Sequence, residues 1–238
     1  MRSLAFVLLC AACVDNLDSG FPIEPGGGSV TIGDTQEGQD QTQDEDPEVL
    51  LRGRVCVVDD FFSTTCATRG ADGLTVILGD QITTTNADGT FAITPAFGTG
   101  LSFLVNGADI VTTTQALTPA ARIRVMRQQL FADMMTANGI IGTVGTGSIF
   151  ATLVRGGLPV QGAIATSTPS PAFGPFFDGT QPAPWALDAT GARGIVWFPG
   201  MVAGPADLSF NTLTGGEAIV GGVQVINGGI TMVETILP

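Results

Sequence analysis

The chain has 238 residues and a net charge of −13, with 44% hydrophobic but only 7% aromatic residues. That acidity argues against nucleic acid as a partner, because phosphate binding needs clustered Lys and Arg. Lys, His and Tyr do not occur, which removes His-dependent nucleophiles, His-ligated zinc and Schiff-base chemistry.

The chain opens with MRSLAFVLLCAAC. Arg2 forms a basic start, Leu4 to Ala12 is an apolar run, and Ala11 and Ala12 are small residues before Cys13, the order of a secretory signal. The run is too short to span a bilayer as a helix. The stretch resembles the bacterial lipoprotein signal, in which cleavage falls just before a cysteine that becomes lipid-modified. Ala12 before Cys13 suits the cut, and Leu9 before Cys10 does not. The resemblance therefore implies a signal at 1–12, lipidation at Cys13 and attachment to a membrane through that lipid. Val14 rather than Asp follows Cys13, which points to the outer membrane, facing either the periplasm or the surface. An ordinary signal peptide is the alternative.

Residues 14–48 carry ten Asp or Glu and no basic residue. Like charge and low hydrophobicity keep such a segment unfolded. Residues 13–48 read as the lipidated cysteine and an acidic tether spanning about 30 Å. Calcium capture is the alternative, but no D-x-D-x-D-G loop is present.

Cys56 and Cys66 remain once Cys10 leaves with the signal and Cys13 is acylated. In an oxidising compartment they are expected to pair; two buried thiols are the alternative. The loop between them contains VDDFFSTT (58–65), either a small acidic and aromatic knob or a braced hairpin tip.

From residue 49 onward the pattern is short alternating runs. LSFLVN (101–106) sets Leu101, Phe103 and Val105 on one face. ADLSFNTL (206–213) sets Leu208 and Phe210 inward, and Asp207, Ser209 and Asn211 outward. Turns fall at Asp72-Gly73, Asp88-Gly89, Gly156-Gly157 and Gly228-Gly229. The two halves repeat each other weakly. NADGTFAI followed by GLSF in the first half answers to GARGIVWF followed by ADLSF in the second, placing Gly89 opposite Gly194. DGLTVIL (72–78) answers to LPVQGAIAT (158–166). Phe91, Phe103, Trp197 and Phe198 are expected in the cores.

Between the halves, ARIRVMRQQLFADMMTANG (121–139) places Leu130, Phe131, Met134 and Met135 at helical spacing, with Asn138-Gly139 as a stop. Arg122, Arg124 and Arg127 precede it. They are either an anion site or the outer face of a last strand with nearby Asp as partners.

The segment 167–187, STPSPAFGPFFDGTQPAPWAL, carries five prolines with Phe173, Phe176, Phe177 and Trp185. Long loops of this kind are commonly functional. The four rings are candidates to bind a glycan or an envelope protein, or else they cap a sandwich.

The runs GRVCVVDD, DGLTVILGD, TTTNADGTFAI and LSFLV, and in the second half GSIFATLVRGGLPVQGAIA and ATGARGIVWFPGMVAG, resemble the carboxypeptidase regulatory-like domain, a transthyretin-like Greek-key β-sandwich. The resemblance covers most of 50–115 and 147–213. Departures are the cysteine pair, the insertion and the loosely matching strands at 217–237. It implies a non-catalytic accessory module and brings no catalytic residues. The surviving enzymatic alternative is a paired-carboxylate hydrolase, but Asp72, Asp88 and Asp178 adjoin turns, Asp207 points outward, and no convergent pair stands out.

The expectation is therefore an all-β protein: a sandwich at 49–118, a strand and helix connector at 119–141, and a second sandwich at 142–238 carrying the insertion. It is expected to need no cofactor or metal and to play a structural, adhesive or ligand-binding role, with carbohydrate binding by the aromatic loop as the alternative.

Overall fold

The computed structural model describes residues 50–62, 65–67, 69–94, 101–118, 122–180, 184–213 and 215–238. The expected signal at 1–12, Cys13 and the acidic tether lie outside the described residues.

The chain forms β1 (Leu51–Val58), β2 (Thr75–Leu78), β3 (Gln81–Thr84), β4 (Thr90–Ile93), β5 (Ser102–Asn106), β6 (Thr113–Ala116), β7 (Arg122–Met126), α1 (Gln128–Ala137), β8 (Thr146–Arg155), β9 (Leu158–Pro159), β10 (Ala163–Thr168), β11 (Phe176–Phe177), β12 (Ile195–Val202), β13 (Gly204–Thr212), β14 (Glu217–Val225) and β15 (Ile230–Ile236). It is an all-β sandwich protein with one helix among its described residues.

The expected alternation holds. Phe103, Val105, Leu208 and Phe210 are buried, while Asp207 and Asn211 face out. The first core lies between the sheet β4-β1-β7 and the strands β3-β2-β5-β6, and is filled by Val55, Val57, Val76, Phe91, Phe103 and Ile123 among others. The second lies between β12-β8-β15 and β10-β13-β14, around Ile149, Leu153, Phe198, Leu208 and Phe210. β7 contributes Ile123 and Val125 to the first core, so that core draws on the chain beyond residue 118.

The repeat read from the sequence is present in the topology. In the first half β1 pairs antiparallel with β4 and parallel with β7. In the second β8 pairs antiparallel with β12 and parallel with β15. The facing sheets match as well, since β2-β5-β6 and β10-β13-β14 are both wholly antiparallel. The first and last strands of each unit lie side by side in parallel, with the rest of the unit as their long connection.

The same backbone anchor recurs. Gly89 and Gly194 adopt φ of +83° and +65°, and their carbonyls accept from Val55 N–H and Leu153 N–H, both at 2.8 Å. A Cβ on either glycine would sit 2.3 Å from Val55 O or 2.6 Å from Leu153 O. Four residues before each glycine is a buried threonine. Thr85 Oγ1 donates to Ala71 O and accepts from Leu74 N–H at 2.9 Å. Thr190 Oγ1 donates to Val160 O at 2.7 Å and accepts from Ala163 N–H at 2.9 Å. Each hydroxyl thus satisfies a buried donor and a buried acceptor that would otherwise carry a desolvation cost.

The two units are joined by more than the helical connector. β15 pairs on one side with β8 and on the other, in parallel, with β6 of the first unit. A continuous sheet therefore runs β11-β12-β8-β15-β6-β5-β2-β3. β8 and β12 are buried on both faces, which is why they read as nearly continuous apolar runs.

Candidate binding cleft

One face of β8, β12 and β15 packs on the second core. The other carries Phe150, Ile195, Trp197 and Ile230 into a third apolar cluster shared by both units. The outer face of the sheet β4-β1-β7 supplies its far wall. Side chains alternate along a strand, so Arg52, Arg54, Cys56 and Val58 of β1 lie opposite the face that carries Val55 and Val57. Register places Arg54 beside Arg122 and Cys56 beside Arg124. This face is basic at one end, through Arg52, Arg54, Arg122 and Arg124, and apolar at the other, through Val58 and Met126.

The cysteine pair is a disulfide, with Cα atoms 4.9 Å apart and ten residues of separation. It braces the chain that brings Phe61 and Phe62 to the third cluster. Phe61 is buried, with its ring 4.3 Å from Phe150 and 5.9 Å from Trp185, and Phe62 is 4.9 Å from Trp185. The candidate knob and the candidate aromatic insertion, distant in sequence, therefore meet. Trp185 in turn lies 5.3 Å from Trp197, which stacks on Phe150 at 5.4 Å. Leu130, Phe131, Met134 and Met135 of α1 pack against the same cluster.

Of the four candidate rings, Phe177 and Trp185 are buried; Phe177 packs in the second core and Trp185 in the third cluster. Phe173 and Phe176 are half-buried at the margin of the third cluster. Of the four rings, only those of Phe173 and Phe176 keep part of their surface exposed.

The insertion is held by Asp178, which sequence reasoning treats as an ordinary turn residue. Asp178 is fully buried. Its Oδ1 accepts from Gly191 N–H and Ile195 N–H, both at 2.8 Å, and its Oδ2 from Arg193 N–H at 2.9 Å. A buried carboxylate is tolerated when it is hydrogen-bonded in this way. It is the one buried carboxylate among the described residues, and its oxygens serve the backbone.

The three arginines before the helix separate. Arg127 pairs with Asp59 at 3.0 Å and donates to Arg69 O at 2.8 Å. Arg122 Nη2 lies 3.2 Å from Cys66 Sγ and 3.7 Å from Cys56 Sγ. Arg124 Nη2 donates to Phe61 O at 2.6 Å, and its guanidinium sits 5.1 Å over the Phe61 ring. Burial pushes the Arg124 guanidinium below its ordinary pKa, neighbouring Arg122 lowers it further, and Asp60 opposes both. Arg122 and Arg124 form one wall of a cleft of about 520 Å³ at the open end of the third cluster. Phe61 and Phe150 line it, as do Gln115 of β6 and Glu234 of β15. Among the described residues no group of His, Cys, Asp or Glu is placed to hold a metal ion, and no helix is long and apolar enough to cross a membrane.

No family model matches the chain, and no curated protein matches it in sequence. Among solved structures it is similar to a minor pilin of the Gram-positive pathogen Streptococcus agalactiae, at 12% identity over 78% of this chain and 94% of that one, with a TM-score of 0.27. It is also similar to a streptococcal ancillary pilin, at 12% identity over 81% of this chain and 63% of the other, with a TM-score of 0.24. Likenesses this distant bear on neither function nor partners.

Proposed function

We propose that this protein is a non-catalytic module of the bacterial cell envelope, exported, anchored by a lipid on Cys13 and carrying two fused carboxypeptidase regulatory-like sandwiches as a rigid structural or adhesive body. The observation that carries the export reading is the Cys56–Cys66 disulfide, since such bonds persist in oxidising compartments. The opening MRSLAFVLLCAAC is the matching address. The strand pairings that the two halves share support the domain reading. The absence of Lys, His and Tyr from the sequence, with Asp178 committed to backbone N–H groups, supports a non-catalytic role.

Mass spectrometry of the mature N-terminus, after expression in a bacterium that processes lipoproteins, tests this. The expected product begins at diacylglyceryl-modified Cys13. An intact, unmodified Met1 would overturn export and anchoring together.

A further inference from the structure

One end of the second unit has features that the structural role leaves unexplained. At this pole β8, β13 and β15 begin and β12 and β14 end. The turns that meet there belong to stretches without a charged residue, between Asp133 and Arg155, between Arg193 and Asp207, and between Glu217 and Glu234. In a chain of net charge −13, this end is neutral. It also exposes large apolar side chains: Val144 is 99% exposed, Ile141 73% and Val202 59%. Backbone hydrogen bonds hold the turns together, from Ala203 N–H to Gly145 O at 2.9 Å and from Gly228 N–H to Thr146 O at 2.8 Å. Phe131 and Met135 of α1 continue the apolar surface into a small recess beside Gly142 and Gly200.

Polar side chains of the pole turn back on its own backbone. Asn138 Nδ2 donates to Met134 O at 2.8 Å, and Thr146 Oγ1 to Thr143 O at 2.7 Å. Asn227 Oδ1 accepts from Gly145 N–H at 3.0 Å. Groups already bonded within the protein lose less when water is removed from them. The opposite end of the same unit differs. It too exposes apolar residues, Leu158, Leu213 and Ile236, but Arg155, Glu217 and Glu234 lie on the strands at that end. Water cannot leave it without stranding charge.

A pole that is neutral, apolar at its tips and bonded to itself suits a medium that offers no hydrogen bonds. A second copy of the chain fits less well. Specific protein interfaces bury about 800 Å² on each side over roughly 20–30 residues, and three side chains on two turns fall far short. We propose that this pole dips into the surface of a lipid bilayer, with Ile141, Val144 and Val202 entering the boundary between headgroups and acyl chains. The attraction is apolar and needs no anionic lipid. This goes beyond the anchor at Cys13 and does not depend on it.

The test uses the full chain carrying Cys13→Ser, so that no acyl chain contributes, with its Ile, Leu and Val methyl groups labelled for NMR. It is mixed with phosphatidylcholine vesicles that carry a nitroxide-labelled lipid. The methyl groups of Ile141, Val144 and Val202 are expected to broaden more strongly than those of Leu158, Leu213 and Ile236 at the other end, at low and at high salt. Val144→Asp changes a side chain that is almost wholly exposed and should leave the fold intact. It should reduce the broadening at Ile141 and Val202 by about tenfold or more, whereas Leu213→Asp should leave it unchanged. Equal broadening at both ends, no broadening at either, or broadening that requires phosphatidylglycerol and vanishes in high salt would overturn the proposal. So would an oligomer in lipid-free solution that Val144→Asp dissociates, because a second copy would then cover the pole.

Discussion

The two units share a strand order, a buried threonine and a left-handed glycine, but they secure the turn between threonine and glycine in opposite ways. In the first unit the turn Thr85 to Gly89 is held locally. Asp88 Oδ1 accepts from Thr90 N–H at 3.0 Å and Thr90 Oγ1–H at 2.6 Å, at an exposed site. In the second, Arg193 stands where the first has Asp88, and Asp178 reaches in from the insertion to take three backbone N–H groups. The first unit is closed by its own residues, and the second needs its insertion to close. The insertion is thus a structural part of the second sandwich at Asp178 and Phe177, whatever its outer edge does.

Perturbations ranked by expected effect can break or sharpen this contrast. The largest belongs to neither unit alone. Phe150→Ala removes the ring that touches Phe61, Trp185 and Trp197 and should cost about 4 kcal/mol in denaturant unfolding. Gly89→Ala and Gly194→Ala come next, at about 3 kcal/mol each, because both place a Cβ against a carbonyl oxygen at positive φ. A large cost at one and none at the other would break the equivalence of the two anchors.

Asp178→Asn should cost about 2–3 kcal/mol, since a buried amide cannot accept all three N–H groups. Asp88→Ala should cost distinctly less, its partners being open to water. Equal losses would remove the distinction between local and remote closure. Replacing both Cys56 and Cys66 with Ala should cost a similar 2–3 kcal/mol by freeing a short loop, roughly in line with chain entropy.

Thr85→Val and Thr190→Val should cost about 2 kcal/mol each, and should match. The smallest effect is on pH dependence. Hydrogen bonds from the side chain and then the backbone of Thr90 hold the Asp88 carboxyl below its usual 3.8. Its contribution is therefore complete above that value and is lost as pH falls through the lowered one. Thr90→Val should flatten this acid limb of the stability curve, and an unchanged limb would argue against the local clamp.

Much of this was legible in the sequence where the signal is local. Alternation in LSFLVN and ADLSFNTL gave the strands their faces, Asn138-Gly139 ended the helix, and the paired NADGTFAI and GARGIVWF revealed the repeat. Cys56 and Cys66 were the pair that remained once Cys10 was assigned to the signal and Cys13 to the lipid, and they form the bridge. The threonine anchor was also within reach, because TNADG and TGARG share Thr-x-x-x-Gly, but a threonine before a turn reads as loop polarity until its burial is known. What local pattern does not carry is long-range pairing. Nothing in ITMVETI says that β15 will lie between β8 and a strand of the other unit. Asp178 looks like any aspartate before a glycine. Phe61 and Trp185 meet only because that pairing turns the outer face of one sandwich toward the other, so the knob, the insertion and the arginines appeared as three separate candidates rather than one cluster with a cleft at its end.

The central claim is that the two repeats are one body, fused where β15 pairs with β6 and Ile230 N–H reaches Thr112 O at 2.9 Å. Hydrogen exchange resolved to single amides measures this directly. Amides bonded across the β15–β6 seam should exchange as slowly as those of β8 and β1, and all should be released in one cooperative opening. Rapid exchange at the seam with slow exchange in each core would show two sandwiches that merely touch, and would contradict the account.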